Sequence, residues 1–471
     1  MTAPILPSGV SRAEFPRTHL LSKSTYMRGA QCPKALGLYT HRRELMAPVS
    51  AAQQAVFDTG NDVGVLAQSL FPGGVDLRPE SARDFRDSLA RTTAAIASGA
   101  TVLYEAAFVH DDVLAAVDLL VRDERGWHAH EVKSTGRVKP QHIEDATLQY
   151  HVLTSVGLAL SDVSIVHLNT QYVRRGDLDV AALFTTTSIH HEVRAGLGDV
   201  PERIAALKAI VLSPDEPVVA IGKHCSTPYP CAFQAHCWQH VPNEVRGPRQ
   251  VDTVSLQRFL GDLQYPLYFL DFETFNSAIP LFDETRPYGQ VPFQFSVHHQ
   301  ASPGAPTTHT GFLADGQGDP REAFVEALLN TIGPVGDIIA YNLPFESARL
   351  RELGEQFPAH QPALEALRAR GKDLLIPFRS GWYYEPAMGM SNSIKSVLPA
   401  LVPDLRYDGM TIADGETASR QFVQLLGGQY AGDIAQLRAD LLAYCALDTL
   451  AMVRILGVLE NAAAHASTIT T

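Results

Sequence analysis

Tyr268-Phe269-Leu270-Asp271-Phe272-Glu273-Thr274 sets two acids two residues apart in an apolar run. Side chains alternate between the faces of a strand, so Asp271 and Glu273 project from the same face. Like charges at the end of an apolar strand repel each other, and a divalent cation removes that cost. Two later segments carry acids in comparable settings. In Ala340-Tyr341-Asn342-Leu343-Pro344-Phe345-Glu346 the proline suits the first turn of a helix, which puts Glu346 near a strand's end. Tyr444-Cys445-Ala446-Leu447-Asp448-Thr449 reads as helix, where residues four apart share a face, so Tyr444 and Asp448 project together.

These three segments resemble the DEDD exonuclease superfamily of RNase H-like nucleases. That family carries D-x-E on its first strand, an acid shortly after an Asn in its second motif, and a final Asp. In one of its subfamilies a Tyr precedes that Asp by four residues, as Tyr444 precedes Asp448. The family usually has Asp where this chain has Glu346. The resemblance implies an RNase H-like domain and two-metal hydrolysis of a phosphodiester from a 3′ end. Asp271, Glu273, Glu346 and Asp448 would hold Mg²⁺ or Mn²⁺, and Tyr444 would position the attacking water. Asn342 and Arg286 would contact substrate, Arg286 from Arg286-Pro287-Tyr288 after the first motif. Phe293 and Phe295 suit the core, Asp373 suits a structural role, and Cys445 suits packing.

Upstream, three strand-like runs cover 101–109, 113–122 and 127–132, the last two joined by the turn Asp123-Glu124-Arg125-Gly126. Asp118 lies on the first arm of that hairpin, and Glu131-Val132-Lys133 ends the second. Period two places Glu131 and Lys133 on one face and His128 and His130 on the other. This D…ExK arrangement resembles the PD-(D/E)xK nuclease superfamily, RecB-type members above all. The resemblance implies a second metal-dependent nuclease site built from Asp118, Glu131 and Lys133, with Glu105 as an added carboxylate. Gln149, in Asp145-Ala146-Thr147-Leu148-Gln149-Tyr150, matches a substrate-contacting Gln of that family. The upstream metal-binding His of RecB-type enzymes has no counterpart in 60–68.

Cys225, Cys231 and Cys237 form C-x5-C-x5-C, and Cys32 stands far upstream in Gln31-Cys32-Pro33-Lys34. One distant Cys before the nuclease core and three after it resembles CRISPR-associated and AddB-like iron–sulfur nucleases. A 4Fe–4S cluster is the implied cofactor. Zinc is the rival, held by four thiolates or by three with His224 or His236. Either would staple the start of the domain to its end.

The 471 residues suit two or three domains, and 45% hydrophobic residues fill more than one core. Split after residue 249, the first part carries 24 basic and 26 acidic residues and the second 14 and 25. A protein that simply coats nucleic acid would be basic, and the balance here is acidic. No run approaches 18 consecutive apolar residues, no secretory signal is recognisable, and there is no NTPase phosphate loop. Five cysteines do not make a disulfide scaffold, and the reducing cytoplasm is the expected compartment.

The expected fold is α/β. A leader (1–20) precedes a PD-(D/E)xK restriction-endonuclease-like domain (21–247), with helices over 51–70 and 82–96. A linker and short helix (248–264) lead to an RNase H-like DEDD exonuclease domain (265–465). There, strands are expected at 267–272, 293–298 and 337–341, and helices at 345–356 and 437–461. The whole resembles a bacterial family fusing a RecB-type iron–sulfur nuclease domain to a DEDD-type domain. That implies nucleic acid as substrate, DNA ahead of RNA, with a helicase or repair partner and no membrane. The rival expectations are a single active DEDD site with the first domain as a strand clamp, and a non-catalytic nucleic-acid-binding scaffold.

Overall fold

The computed structural model describes residues 19–80, 85–239, 241 and 246–465. Most of the expected leader and residues 242–245, in the polar stretch 242–249 that reads as a linker from its two prolines and glycine, lie outside the described residues. The chain divides into two compact units after Val241.

The first unit is built on a seven-stranded mixed sheet. Its strands are β1 (Leu21–Ser22), β2 (Val75–Asp76), β3 (Val102–His110), β4 (Val113–Asp123), β5 (Gly126–Lys133), β6 (Leu160–Leu168) and β7 (Phe184–Ser188). The order is β2-β3-β4-β5-β6-β7, and β1 pairs with the start of β4. The expected hairpin is β4–β5, antiparallel from Leu119/His130 to Asp123/Gly126. β6 and β7 carried no signal recognised in the sequence. Leu103, Val117, Leu120, Ala129, Val163 and Ile165 line the main core, with Leu148 and Val152 of the helix Pro140–Ser155.

The second unit begins with β8 (Gln250–Val251), paired to β14 (Tyr383–Tyr384). The short helix expected in 248–264 is Thr253–Gly261; it buries Leu256, and Gln257 donates to the Ala463 carbonyl, so this stretch packs within the unit. The central sheet contains β9 (Leu267–Asn276), β10 (Gln290–Gln300), β11 (Thr307–Leu313), β12 (Asp337–Ala340) and β13 (Gly371–Asp373), ordered β11-β10-β9-β12-β13. β9–β11 are antiparallel, and β12 and β13 run parallel to β9.

β9 is therefore the middle strand, covered on both faces, which explains its apolar run. Its even positions, Tyr268, Leu270 and Phe272, meet a core shared with Phe324 and Leu350. Its odd positions, Leu267, Phe269 and Phe275, meet a core shared with Leu441, Tyr444 and Ile455 of the helix Ile434–His465. Asp271 and Glu273 have odd numbers, so they face that long helix. Phe293 and Phe295 are core residues, as expected.

By length and composition, Ile434–Ala464 is apolar enough to cross a membrane, with a mean hydropathy of 1.7 in its most apolar window. The sequence reading missed this because scattered polar residues interrupt the run. Half of that window is buried inside the unit. The polar side chains Asp448 and Thr449 are buried with it, so the helix serves as a core element here.

Candidate metal centre

In the second unit, β9 delivers Asp271 and Glu273, and the long helix delivers Asp448. One carboxylate oxygen from each lies within 4.8 Å of the others. Asp271 is half-buried, and Glu273 and Asp448 are buried. Burial pushes all three carboxyls upward, and mutual repulsion adds to it for Asp271 and Glu273. Asp271 stands well above the carboxylate range, Glu273 at about 8 and Asp448 at about 6.

Tyr407 Oη donates to Asp448 Oδ1 at 2.5 Å, and Tyr444 also hydrogen-bonds Asp448. Lys395 Nζ lies 5.6 Å from the ring centre of each tyrosine and exerts a positive field on Glu273 and Asp448. It also donates to the Ala413 carbonyl at 2.8 Å. Gly415 opens the helix Gly415–Leu426 against Glu273. A Cβ at that position would stand 3.2 Å from Glu273 Oε2.

The strand and helix are locked in register behind the acids. Ser296 and Gln294 of β10 pair with Asp271 and Glu273. Ser296 Oγ contacts Thr449 Oγ1 at 2.7 Å, and Gln294 Nε2 donates to the Leu441 carbonyl at 2.7 Å. Thr449 follows Asp448, so these bonds fix where Asp448 meets β9.

Glu346 is a partial correction. It opens the helix Pro344–Gln356 as expected and bears electrostatically on Asp271 and Glu273, but it lies outside the close triad. Its Oε2 is buried with no hydrogen-bond partner among the described residues, and burial holds its carboxyl up at about 8. Asn342 is exposed, with a left-handed φ of 78°, and its N–H donates to Asp373 Oδ1 at 3.0 Å. Asp373 accepts from Leu375 N as well, so it fastens the turn, as its expected structural role required. Arg286 is exposed in the loop between β9 and β10. Cys445 is buried as expected, yet its thiol also lies 3.7 Å from Asp271 Oδ2. Tyr407, Lys395 and Gly415 escaped the sequence reading because no spacing rule ties them to the acids.

Three crowded carboxylates with raised proton affinity and an orphaned Glu346 oxygen form an all-oxygen donor set. That set fits a hard divalent cation such as Mg²⁺ or Mn²⁺.

The first unit's cluster is differently balanced. Lys133 Nζ donates to Glu131 Oε1 at 2.6 Å and to Asp145 Oδ2 at 2.7 Å. Lys23 Nζ reaches the same Glu131 oxygen at 2.7 Å and Asp145 Oδ2 at 3.7 Å. Gln149 Nε2 donates to Glu131 Oε2 at 2.7 Å. Burial alone would raise Glu131, but the two lysines outweigh it and hold the carboxyl far below its usual range. Asp118 accepts from Val132 N at 2.7 Å, and burial with Glu131 beside it lifts its carboxyl to about 7. Glu105 has a left-handed φ of 55°, and Arg78 lies 3.9 Å from its carboxylate.

Several expectations change here. Gln149 is buried, and its amide donates to Glu131. Glu105, Asp118 and Glu131 do not close to a common point within 4.8 Å. Glu131 has both oxygens engaged, so the cluster as arranged does not fit a divalent ion. Lys23 and Asp145 are its unforeseen members. His130 is buried, stacked on Phe71 and pushed down to about 4 by burial, in keeping with a structural role.

Cys32, Cys225, Cys231 and Cys237 line one cavity of about 220 Å³, with Lys34 and His224 at its wall. Four thiolates around one zinc ion stand about 3.8 Å apart, given Zn–S bonds of about 2.3 Å. No three of these thiols, with or without a histidine, come within 4.8 Å of each other. Burial raises the Cys231 and Cys237 thiols, and a bound metal group would draw off their protons.

Residues 268–393 are similar to a family described as a domain of unknown function, DUF2779. The matched segment carries Asp271, Glu273, Asn342 and Glu346 and stops before Tyr407, Tyr444 and Asp448. No curated protein matches the chain.

Proposed function

We propose that this chain is a metal-dependent nuclease whose second unit, an RNase H-like DEDD-type domain, removes nucleotides from a 3′ end. The observation that carries this reading is the convergence of Asp271, Glu273 and Asp448 within 4.8 Å on the face of a buried central strand. Repulsion among such acids is costly in a fold that keeps them close. Asp271, Glu273 and Asp448 would hold the ions, with Glu346 as the outlying fourth acid. Bound divalent cations would activate water and stabilise the leaving oxygen.

The chain's own residues do the rest. Tyr407 and Tyr444 aim Asp448 by donating to it. Burial and neighbouring acids raise the proton affinity of Glu273 in the metal-free chain, and a bound cation would displace that proton. Lys395 is exposed and supplies a positive field on Glu273 and Asp448, suited to the charge of a phosphodiester.

The first unit is read as a PD-(D/E)xK, RecB-type domain that acts as a strand-binding clamp beside the DEDD site, because its acidic cluster as arranged does not fit a divalent ion, and it is stapled by a 4Fe–4S cluster in the four-cysteine cavity. The four thiols lining one cavity support the staple. DNA is the favoured substrate because the first unit's resemblance is to enzymes of DNA, and the cytoplasm is the proposed compartment. Digestion of 5′- and 3′-end-labelled single- and double-stranded DNA and RNA tests the whole reading. Mg²⁺-dependent shortening from the 3′ end, lost in Asp271→Ala, is expected. A wild-type chain that cleaves none of these substrates would overturn it.

A further inference from the structure

The second unit has a cleft that the candidate metal centre does not use. It holds about 520 Å³ and lies between the start of the helix Pro344–Gln356 and the end of β13. Leu343, Pro344 and Ala348 give it an apolar wall, and Ser347, Arg351 and Arg368 a polar one. Pro344, Ser347, Ala348 and Arg351 are spaced at i, i+3, i+4 and i+7, one face of that helix. Arg368 ends the helix Gln361–Arg368, and its Nε donates to Ser347 Oγ at 3.2 Å. Asp373 also lines the cleft, but its charge is already engaged. Asn342 N and Leu375 N donate to its Oδ1 at 3.0 Å each, and Arg379 lies 3.8 Å from its Oδ2.

This region is basic within an acidic half of the chain. Residues 349–379 hold six basic and four acidic side chains, whereas the whole stretch after 249 holds 14 and 25. Arg351 keeps 55% of its side-chain exposure, and Glu352 and Glu355 stand 4.0 and 3.9 Å from it. Arg368 pairs with the exposed Glu365. Exposed pairs of this kind contribute little and yield to a better anion.

The sheet sets where the cleft lies relative to the acids. Ile339 of β12 pairs with Phe269 of β9, and Ala340 pairs with Asp373 of β13. The chain therefore leaves β12 and β13 level with Asp271, at one edge of the sheet. Neighbouring strands are about 4.8 Å apart, which puts β13 about 10 Å from β9. Glu346 projects from the opposite side of the same helix start, where it bears on Asp271 and Glu273.

We propose that this cleft binds the phosphodiester backbone of a single strand, with Arg351 and Arg368 taking phosphates of nucleotides that precede the 3′ end. Guanidinium groups donate two parallel hydrogen bonds to a phosphate, and the cleft has the volume of a nucleotide-sized ligand. Stacked nucleotides rise about 3.4 Å along a strand, so the cleft would hold the chain about three nucleotides from the reacting end. This placement rests on the 3′-end reading, but strand binding by the cleft does not depend on cleavage.

The test uses the full chain carrying Asp271→Asn, which leaves the strand intact, and a 5′-fluorescein-labelled oligothymidylate of about ten nucleotides in Mg²⁺. Fluorescence anisotropy gives its Kd over a range of salt. Each phosphate contact on a single strand contributes about 0.7 to the slope of log affinity against log salt. Alanine at both Arg351 and Arg368 is expected to flatten that slope by about 1.4 and to weaken binding about tenfold at low salt. Arg351→Glu alone, at an exposed position, weakens binding as well, and it decides the matter if the double variant fails to fold. Lysine at both positions keeps the slope. Alanine at Arg406 and Arg454, exposed arginines outside the cleft, leaves it unchanged. With Asp271 restored, the double alanine variant raises KM for the same strand but not for a dinucleotide, which is too short to reach the cleft, and kcat holds for both.

An unchanged slope and affinity in the folded cleft variants overturn the proposal, and so does a background chain that binds no strand. An equal loss in the Arg406 and Arg454 variants overturns it too, as an effect of net charge alone. The expected slopes in a wild type that cleaves nothing would count against the nuclease reading and leave the strand-binding cleft standing.

Discussion

Replacing Asp271 by Asn is expected to abolish cleavage while making the metal-free protein more stable. Asp271 shares its pocket with two carboxylates whose oxygens lie within 4.8 Å. At an effective dielectric of about 20, each such pair of full charges repels by about 3.5 kcal/mol. Protons shared within the cluster relieve part of this, so the relief on removing one acid is about 2 kcal/mol at alkaline pH. For a unit of this size that raises the melting temperature by roughly 4–8 °C. The assay is thermal unfolding followed by circular dichroism, in excess chelator at about pH 8.5, where the acids ionise most fully. End-labelled single strands in Mg²⁺ report activity, expected to fall by about a thousandfold or more. In Mg²⁺ the stability gap closes, because the ion binds and stabilises the wild type more strongly. A variant that melts lower than wild type in chelator, or that keeps its cleavage, would refute the reasoning.

Other outcomes follow from the same geometry. Glu273 and Asp448 have folded-state proton affinities above those of the unfolded chain, so their contribution is complete at low pH and fades as pH rises through about 6 and then about 8. The melting temperature of the chelated protein should therefore fall over that window, and Mg²⁺ should restore most at its upper end. Tyr407→Phe removes a donor to Asp448 and is expected to lower the rate about tenfold at saturating metal, with little change in fold, as single-turnover digestion would show. Cys32→Ser should cost the anaerobically purified chain its brown colour and its iron. A colourless wild type loaded with zinc would instead refute the cluster.

The acids of β9 were legible because period two and an apolar surround suffice to put Asp271 and Glu273 on one face. Asp448 was legible through its spacing from Tyr444 on a helix. The two-sided burial of β9 was not, since it depends on which helices cover the sheet. Tyr407 and Lys395 come from segments with no regular spacing to the acids, and only the tertiary fold brings them in. Lys23 shows the limit more sharply. Its sequence context reads as the opening of a helix, while its charge is spent 108 residues away on Glu131. Gln149 was placed on the right helix, but its amide direction is set by Glu131 and Asp145 rather than by a substrate. Glu346 was placed at the right helix start, yet its position relative to the triad depends on how that helix leaves β12. The stretch 242–249 reads as a linker from its two prolines and glycine, but the strand Gln250–Val251 that follows it pairs with β14, a partner far along the chain that no local signal announces.

Crystals of the full chain grown with Mn²⁺ and measured for anomalous scattering test the central claim most directly. The expected result is at least one strong Mn²⁺ peak bridging the carboxylates of Asp271, Glu273 and Asp448, lost in Asp271→Asn. Fully occupied Mn²⁺ elsewhere, with nothing between those three side chains, would contradict it.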